Sequence, residues 1–132
     1  TSYHHHIYQR VHPNIQNQFT KVTETLDFQE PFLMKTILKE NEEMNIGGLK
    51  LYIQDDCLCC DRTKISIQKN KVCNVNQTPK LNHQYQLDIY YDYHIFEIFI
   101  NDGYYVLSQI VYQILEDQTH YNKEVTTILQ IR

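Results

Sequence analysis

Short β-rich runs separated by turn residues constrain the fold of this chain more than any other feature, and residues 87–112 show them most clearly. This segment reads LDIYYDYHIFEIFINDGYYVLSQIVY: an apolar run, the sequence Asn101-Asp102-Gly103 and a returning apolar run. An Asp-Gly pair between two such runs is a strong hairpin signal, because both residues tolerate the positive φ angles of a tight turn. The segment therefore predicts an antiparallel hairpin of two strands.

Several other stretches carry the strand signature of β-branched and aromatic residues at alternating positions. The sequence predicts strands within 19–28, 32–39, 49–53, 57–60, 64–68, 83–91, 94–100, 104–112 and 125–131. It also predicts a turn at Asn45–Gly48, a loop over 70–81 and an edge position for the last strand. About eight or nine short strands without a long helical pattern predict an all-β fold. Such strands build an antiparallel β-sandwich or a barrel. Because the connections are short and 94–100 is apolar on both faces, as in a central strand, we favour a two-sheet β-sandwich and expect the concanavalin-like, jelly-roll type.

Length and charge limit the domain organisation and the partners of the chain. Its 132 residues, 42% of them hydrophobic, suffice for one domain with a core. Polar residues and Pro13 make 1–18 a predicted tail or inter-domain linker, and 19–132 the predicted sandwich domain. The formal net charge of −4 and the dispersed basic residues argue against a nucleic-acid surface. No apolar stretch approaches the roughly 20 residues of a membrane span.

The four cysteines leave their role open. Cys57, Cys59, Cys60 and Cys73 could form two disulfides, hold a metal or remain reduced. A single C-x2-C pair is present, whereas structural zinc sites usually have two, so reduced thiols are favoured over a metal site. Reduced thiols in turn favour a cytoplasmic location. We predict no metal and no other cofactor.

One acid, Glu97, lies in the middle of the apolar run, where a carboxylate is costly to bury. A glycosidase needs a second carboxylate at a fixed spacing, for which Asp61 and Asp92 are the candidates, but the sequence gives no reason for them to converge with Glu97. The alternative is an acid held by backbone N–H groups or by a basic residue such as Arg62. A nucleophile elbow and a phosphate-binding loop are absent from the sequence as well. We therefore assign no catalytic residue.

The hairpin resembles that of a known enzyme family. Asp92–Gly103 (DYHIFEIFINDG) is similar to the C-terminal hairpin of glycoside hydrolase family 32, which includes invertases, levanases, inulinases and sucrose-6-phosphate hydrolases. The run 105–112 resembles the family's return strand, although Ser108-Gln109 stands where Ser-Arg is commoner. Upstream, Cys60–Thr63 resembles the family's Asp-Arg-Ser/Thr segment. The resemblance covers 47–112, and it marks Asp61, Arg62, Asp92, Glu97, Asp102 and Gly103 as signatures of the fold.

The resemblance implies a functional context. Family members carry an N-terminal five-bladed β-propeller with the active site and then a C-terminal β-sandwich, and this chain resembles the sandwich. The propeller motifs that supply the catalytic carboxylates, Asn-Asp-Pro-Asn-Gly, Arg-Asp-Pro and Glu-Cys, do not occur in the sequence. On this resemblance we predict a non-catalytic module of a β-fructofuranosidase-like enzyme, which stabilises or packs on a catalytic propeller and is inactive alone.

Two other functions stay open. In the first, tyrosine rings around the hairpin stack on a sugar such as sucrose or a fructan, as in a carbohydrate-binding module, and the candidates are Tyr91, Tyr93, Tyr104 and Tyr105. Packing within the core or on the sheet surface is the simpler explanation for at least half of such rings. In the second, exposed tyrosine and isoleucine side chains mediate self-association, for example as a dimer.

Overall fold

Two antiparallel β-sheets form a sandwich. A computed structural model of the chain describes residues 19–65, 75–79 and 84–131. The strands are β1 (Phe19–Thr23), β2 (Phe32–Lys39), β3 (Glu43–Ile46), β4 (Leu49–Gln54), β5 (Cys57–Asp61), β6 (Val75–Gln77), β7 (Gln84–Asp92), β8 (Ile95–Ile100), β9 (Tyr105–Ile110) and β10 (Thr127–Ile131). Their order is β1-β10-β2-β7-β8-β9 in a six-stranded sheet and β3-β4-β5-β6 in a four-stranded sheet. The all-β, two-sheet sandwich predicted from the sequence is confirmed.

The main apolar core lies between the sheets. Alternate side chains of a strand point to the same face, so β7 places Tyr85, Leu87, Ile89 and Tyr91 in this core. The four-stranded sheet meets them through buried apolar side chains of β3, β4 and β5. Within the described residues, no helix is long and apolar enough to cross a membrane.

A smaller apolar cluster covers the outer face of the six-stranded sheet. Phe19, Leu33 and Phe99 form its buried part, and Tyr90 packs against them, with its ring edge-on to Phe19 at 5.6 Å between centroids. Phe99 is therefore buried on the face of β8 opposite the main core, which holds Phe96. β8 also pairs with a strand on each side. The prediction of an internal strand that buries apolar side chains on both faces is confirmed here.

The segment 87–112 contains two hairpins rather than the single predicted one. Tyr93 and His94 have positive φ angles of 42° and 68° and form the turn between β7 and β8. Residues other than glycine are uncommon at such angles, so the sequence carries no turn signal at this point. The predicted turn at Asn101–Gly103 joins β8 to β9, and all of its residues have positive φ angles.

Two strands form where the sequence predicts other structure. β3 occupies the first half of the turn predicted at Asn45–Gly48, and Gly47-Gly48 alone make the turn into β4. β6 lies within the loop predicted over 70–81. It is a three-residue edge strand without a buried side chain, so it has no apolar alternation to reveal it.

Two further predictions are wrong: the strand over 64–68 and the edge position of the last strand. The strand predicted over 64–68 begins instead as a 3-10 turn at Thr63–Ile65, and 66–68 lie outside the described residues. β10 is an internal strand between β1 and β2, not an edge strand, because β1 pairs with its free side. The predicted tail 1–18 and Cys73 also lie outside the described residues.

Candidate functional site

The tyrosines predicted to stack on a sugar do not share one surface. Tyr93 lies in the β7–β8 turn, where it is 82% exposed. Tyr104 and Tyr105 lie beyond the other end of β8. The six residues of β8 separate the two ends, which corresponds to about 20 Å at roughly 3.3 Å per residue. Tyr105 also packs partly against the core. A single stacking platform made by these rings is therefore not formed.

Tyr91 is a core residue, so the sugar-stacking role predicted for it is wrong. Its side chain is 2% exposed. Its ring stacks on Phe32 at 5.0 Å between centroids and packs against Phe96 at 4.9 Å and Phe28 at 5.5 Å. Burial raises the pKa of its hydroxyl above the ordinary 10.0. A ring held in this way leaves no face for a ligand.

The three carboxylates considered for a catalytic pair are divided between the sheets. Glu97 is half-buried on the outer face of the six-stranded sheet, with Tyr90 and Ser108 as its cross-strand neighbours. Asp92 is exposed on the same face, one diagonal position away. Burial, followed by the negative charges of Asp92 and Glu97, raises the pKa of Tyr90. Asp61 ends β5 of the opposite sheet, so it does not meet the other two acids.

The Asp-Arg-Thr segment ties the four-stranded sheet to the end of β9. The Asp61 carboxylate accepts a hydrogen bond from the Thr63 backbone N–H at 2.8 Å, which begins the 3-10 turn. The Arg62 guanidinium donates to the backbone carbonyl of Ile110. The structure shows no ion pair between Arg62 and Glu97, both of which lie within the described residues, so the predicted pairing of these two side chains is wrong. Arg62 instead connects the two sheets.

The Asn-Asp-Gly turn is fastened to the neighbouring strand by its first residue. The Asn101 side-chain oxygen accepts a hydrogen bond from the Gln86 N–H at 3.0 Å, and the Asn101 N–H donates to the Gln86 carbonyl at 2.8 Å. Asp102 and Gly103 then turn the chain with φ angles of 62° and 88°. These residues have a structural role that agrees with their use as signatures of the fold.

Large apolar side chains are exposed at the end of the six-stranded sheet where Tyr93 lies. Tyr93, Ile95, Ile110 and Tyr112 are 82%, 44%, 66% and 61% exposed, and we call them the β8–β9 apolar surface. Ile95 and Ile110 are cross-strand partners, and the Val111 N–H bonds to the His94 carbonyl beside them. β9 is also an edge strand of its sheet. Exposed apolar groups that adjoin one another mark interaction surfaces more often than isolated ones do.

A groove lies between the β1–β2 loop and the long connection from β9 to β10. Its volume is about 330 Å³, and it is lined by Glu24, Thr25 and Phe28 on one side and by Glu116, His120 and Tyr121 on the other. A second groove of about 230 Å³ adjoins it and shares Glu24, Tyr121 and Lys123 with it. We call the pair the Tyr121 groove. The groove could not be predicted from the sequence, because its two walls, within 24–28 and 116–123, are far apart in the sequence and neither contains a recognisable motif.

The thiols of β5 are all buried. Cys57, Cys59 and Cys60 are free cysteines in the structure. Cys60 faces the main core, and burial raises the pKa of its thiol far above the ordinary 9.0. Burial also raises the pKa of Cys59. Thiolate chemistry at Cys59 and Cys60 is therefore disfavoured, because the reactive form of cysteine is the deprotonated one.

Comparisons with known proteins agree with this architecture. Residues 52–130 match the family model for the C-terminal domain of glycosyl hydrolases family 32. The fold is similar to part of the structure of sucrose-6-phosphate hydrolase from Lactobacillus gasseri, with a TM-score of 0.67 and 19% sequence identity. That similarity covers 95% of this chain and 31% of the hydrolase chain, and at such an identity it supports the fold alone. No curated protein sequence matches the chain.

Proposed function

The chain belongs to the C-terminal domain family of glycosyl hydrolases family 32, and we propose that it is the non-catalytic β-sandwich module of a fructoside-hydrolysing enzyme of the sucrose-6-phosphate hydrolase or β-fructofuranosidase type. The family match carries this proposal. The chain spans 31% of the length of the similar hydrolase, and the catalytic propeller motifs of the family do not occur in it. Its task would be to pack on the catalytic propeller and stabilise it.

The β8–β9 apolar surface is the face that we assign to the propeller. None of its four side chains carries a charge. Transfer of each one from water into an interface would contribute about 1–2 kcal/mol of favourable binding free energy. The Arg62 guanidinium donates to the Ile110 carbonyl and so fixes the end of β9. The surface is therefore already ordered without a bound partner. A preorganised surface loses little conformational entropy on association.

A cytoplasmic location belongs to the same proposal. The three cysteines of β5 are free thiols in the structure. Free thiols persist in reducing compartments, whereas secreted domains of this size commonly use disulfides.

Activity of the isolated chain tests the non-catalytic part of the proposal. The purified chain should release no fructose or glucose from sucrose, from sucrose 6-phosphate or from a fructan. The control is a family 32 enzyme with its propeller in the same assay. Turnover that rises in proportion to the amount of pure chain would refute the proposal.

The packing surface is tested by association with the catalytic propeller of a family 32 enzyme from the same source. Ile110→Asp should weaken binding at least tenfold, because it buries a charge in an apolar contact. The matched control is Val22→Asp: Val22 is 68% exposed and Ile110 66%, but Val22 lies on β1 at the opposite edge of the sheet. Equal affinities for the two variants would show that the β8–β9 apolar surface does not receive the propeller.

Self-association is the alternative that the same surface supports. Sedimentation of the chain alone distinguishes the two cases. A dimer that Ile110→Asp dissociates and Val22→Asp preserves would make this surface a contact between copies of the chain. A monomer at all concentrations leaves the propeller as the partner.

A further inference from the structure

We infer that the Tyr121 groove is a binding site for a neutral oligosaccharide, separate from the β8–β9 apolar surface. The groove shares no residue with that surface. The groove combines an aromatic lining residue, polar side chains without a partner among the described residues, and walls held by hydrogen bonds.

The chemistry of the lining fits a ligand that is rich in hydroxyl groups. Glu24 and Glu116 offer acceptors, and Lys123 offers a donor. None of these three side chains has a hydrogen bond or an ion pair with any residue that the structure describes. Two carboxylates disfavour an anionic ligand, and the nearby ammonium group disfavours a cationic one. A sugar hydroxyl can both donate and accept, so it satisfies both kinds of group without a net charge.

Tyr121 supplies the apolar contact that sugar recognition needs. Its side chain is partly buried against the main core, which raises the pKa of its hydroxyl, and Tyr121 is a lining residue of both halves of the groove. Phe28 also lines the larger half, and its ring packs edge-on against Phe32 and Tyr91 at 5.6 Å and 5.5 Å between centroids. Flat ring faces pack against the C–H faces of sugar rings, while hydroxyls at the sugar's edge reach the polar walls.

The shape favours more than one sugar unit. The larger half of the groove, about 330 Å³, falls at the lower end of the range for small-molecule sites. The second half continues past Tyr121 towards β10, with Thr126 and Thr127 in its wall. Because Glu24, Tyr121 and Lys123 border both halves, an oligosaccharide could cross Tyr121 with a unit on each side.

Both walls are held in place without a ligand. On one side, His120 exchanges two backbone hydrogen bonds with Asn45, at 2.9 and 2.8 Å. The Thr119 hydroxyl accepts a hydrogen bond from the Gly47 N–H at 2.9 Å. On the other side, the Asp27 carboxylate accepts from the Gln29 N–H at 2.9 Å. A groove with fixed walls loses little conformational entropy when it binds a ligand. This small entropic cost compensates for the few contacts that an open site can make.

Titration of the full chain with neutral sugars tests the inference. The probes are sucrose, a fructo-oligosaccharide of about four units and a malto-oligosaccharide of the same length, added up to about 10 mM and followed by backbone amide NMR shifts. We expect saturable shifts of the amides of 24–28 and 119–123 with at least one of the two oligosaccharides, and weaker binding of sucrose. The absence of saturable shifts with every probe would overturn the inference.

Substitutions locate the site. Tyr121→Ala should weaken the oligosaccharide affinity about tenfold, whereas the control Tyr112→Ala, which removes a ring from the β8–β9 apolar surface, should leave it unchanged. If Tyr121→Ala does not fold, Glu24→Gln provides a second variant at an exposed position and should weaken binding several-fold. Equal losses in Tyr121→Ala and Tyr112→Ala would contradict the inference.

Discussion

Two tyrosines only two positions apart should respond in opposite ways to removal of the ring. Tyr91 lies at 2% exposure between Phe32, Phe96 and Phe28, whereas Tyr93 is 82% exposed in the next turn. Both belong to the same tyrosine-rich stretch of the sequence, which does not distinguish them. The structure assigns one to the core and the other to the surface, and the free energy of unfolding should reveal the difference.

The expected magnitude follows from the packing. Removing a fully buried aromatic side chain costs about 3–5 kcal/mol. Each of the three ring contacts of Tyr91, at 4.9–5.5 Å, contributes about 0.5–1.5 kcal/mol of pair interaction within that cost. At about 3–5 °C per kcal/mol for a domain of this size, Tyr91→Ala should lower Tm by about 9–25 °C. Tyr93→Ala removes an exposed ring and should change the stability by no more than about 0.5 kcal/mol.

Urea and thermal unfolding followed by circular dichroism measure both variants against the parent chain. Tyr91→Leu serves as a milder variant if Tyr91→Ala does not fold, because leucine keeps an apolar side chain but loses the ring contacts. We expect it to lie between the parent and Tyr91→Ala. A loss below about 1 kcal/mol in Tyr91→Leu, or equal losses for Tyr91→Ala and Tyr93→Ala, would refute the assignment of Tyr91 to the core.

Three further predictions concern the supports of the fold. Gly48→Ala should cost about 3 kcal/mol in urea unfolding, because Gly48 has a φ of 104° and an added Cβ would lie 2.6 Å from the Ile65 side chain; a loss below about 1 kcal/mol would contradict this. Arg62→Lys should cost about 1–2 kcal/mol and speed the hydrogen exchange of amides at the end of β9, since the guanidinium that holds the Ile110 carbonyl is lost; unchanged exchange would argue against that link. Burial raises the pKa of the Cys60 thiol above its ordinary 9.0, so the stability due to its neutral form should be fully present below about pH 9 and decline as the pH rises further. Unfolding measured from pH 7 to 11 checks the sign, and Cys60→Ala should show a smaller decline.

The regular strands of the domain could be predicted from the sequence because their pattern is local. In β7, inward-facing Tyr85, Leu87 and Ile89 alternate with outward-facing polar residues, so both the strand and its buried face follow from a period of two. The Asn101–Gly103 turn was predictable for the same reason, since its residues favour positive φ angles. The identity of the family followed from these same segments.

Features that depend on distant parts of the chain could not be predicted. The turn at Tyr93-His94 uses residues without a turn preference, and it forms because β7 and β8 pair on either side of it. The position of β10 depends on pairing with β1 and β2 rather than on its own sequence. The Tyr121 groove depends on the β9–β10 connection, which is fixed by hydrogen bonds to the β3–β4 hairpin.

The location of β10 has a consequence for how the domain is made. Among the strands that the structure describes, β1 pairs only with β10, and β10 also pairs with β2. In the antiparallel pair of β1 and β10, Phe19 lies opposite Ile131. β1 therefore cannot pair with β10 until nearly the entire domain has been synthesised. During translation, β3 to β6 and β7 to β9 can pair with strands next to them in the sequence, whereas β1 can pair only after β10 has been made. We therefore expect the sheet to close late, in a slow step that joins the first and last strands, as contacts of long sequence separation require.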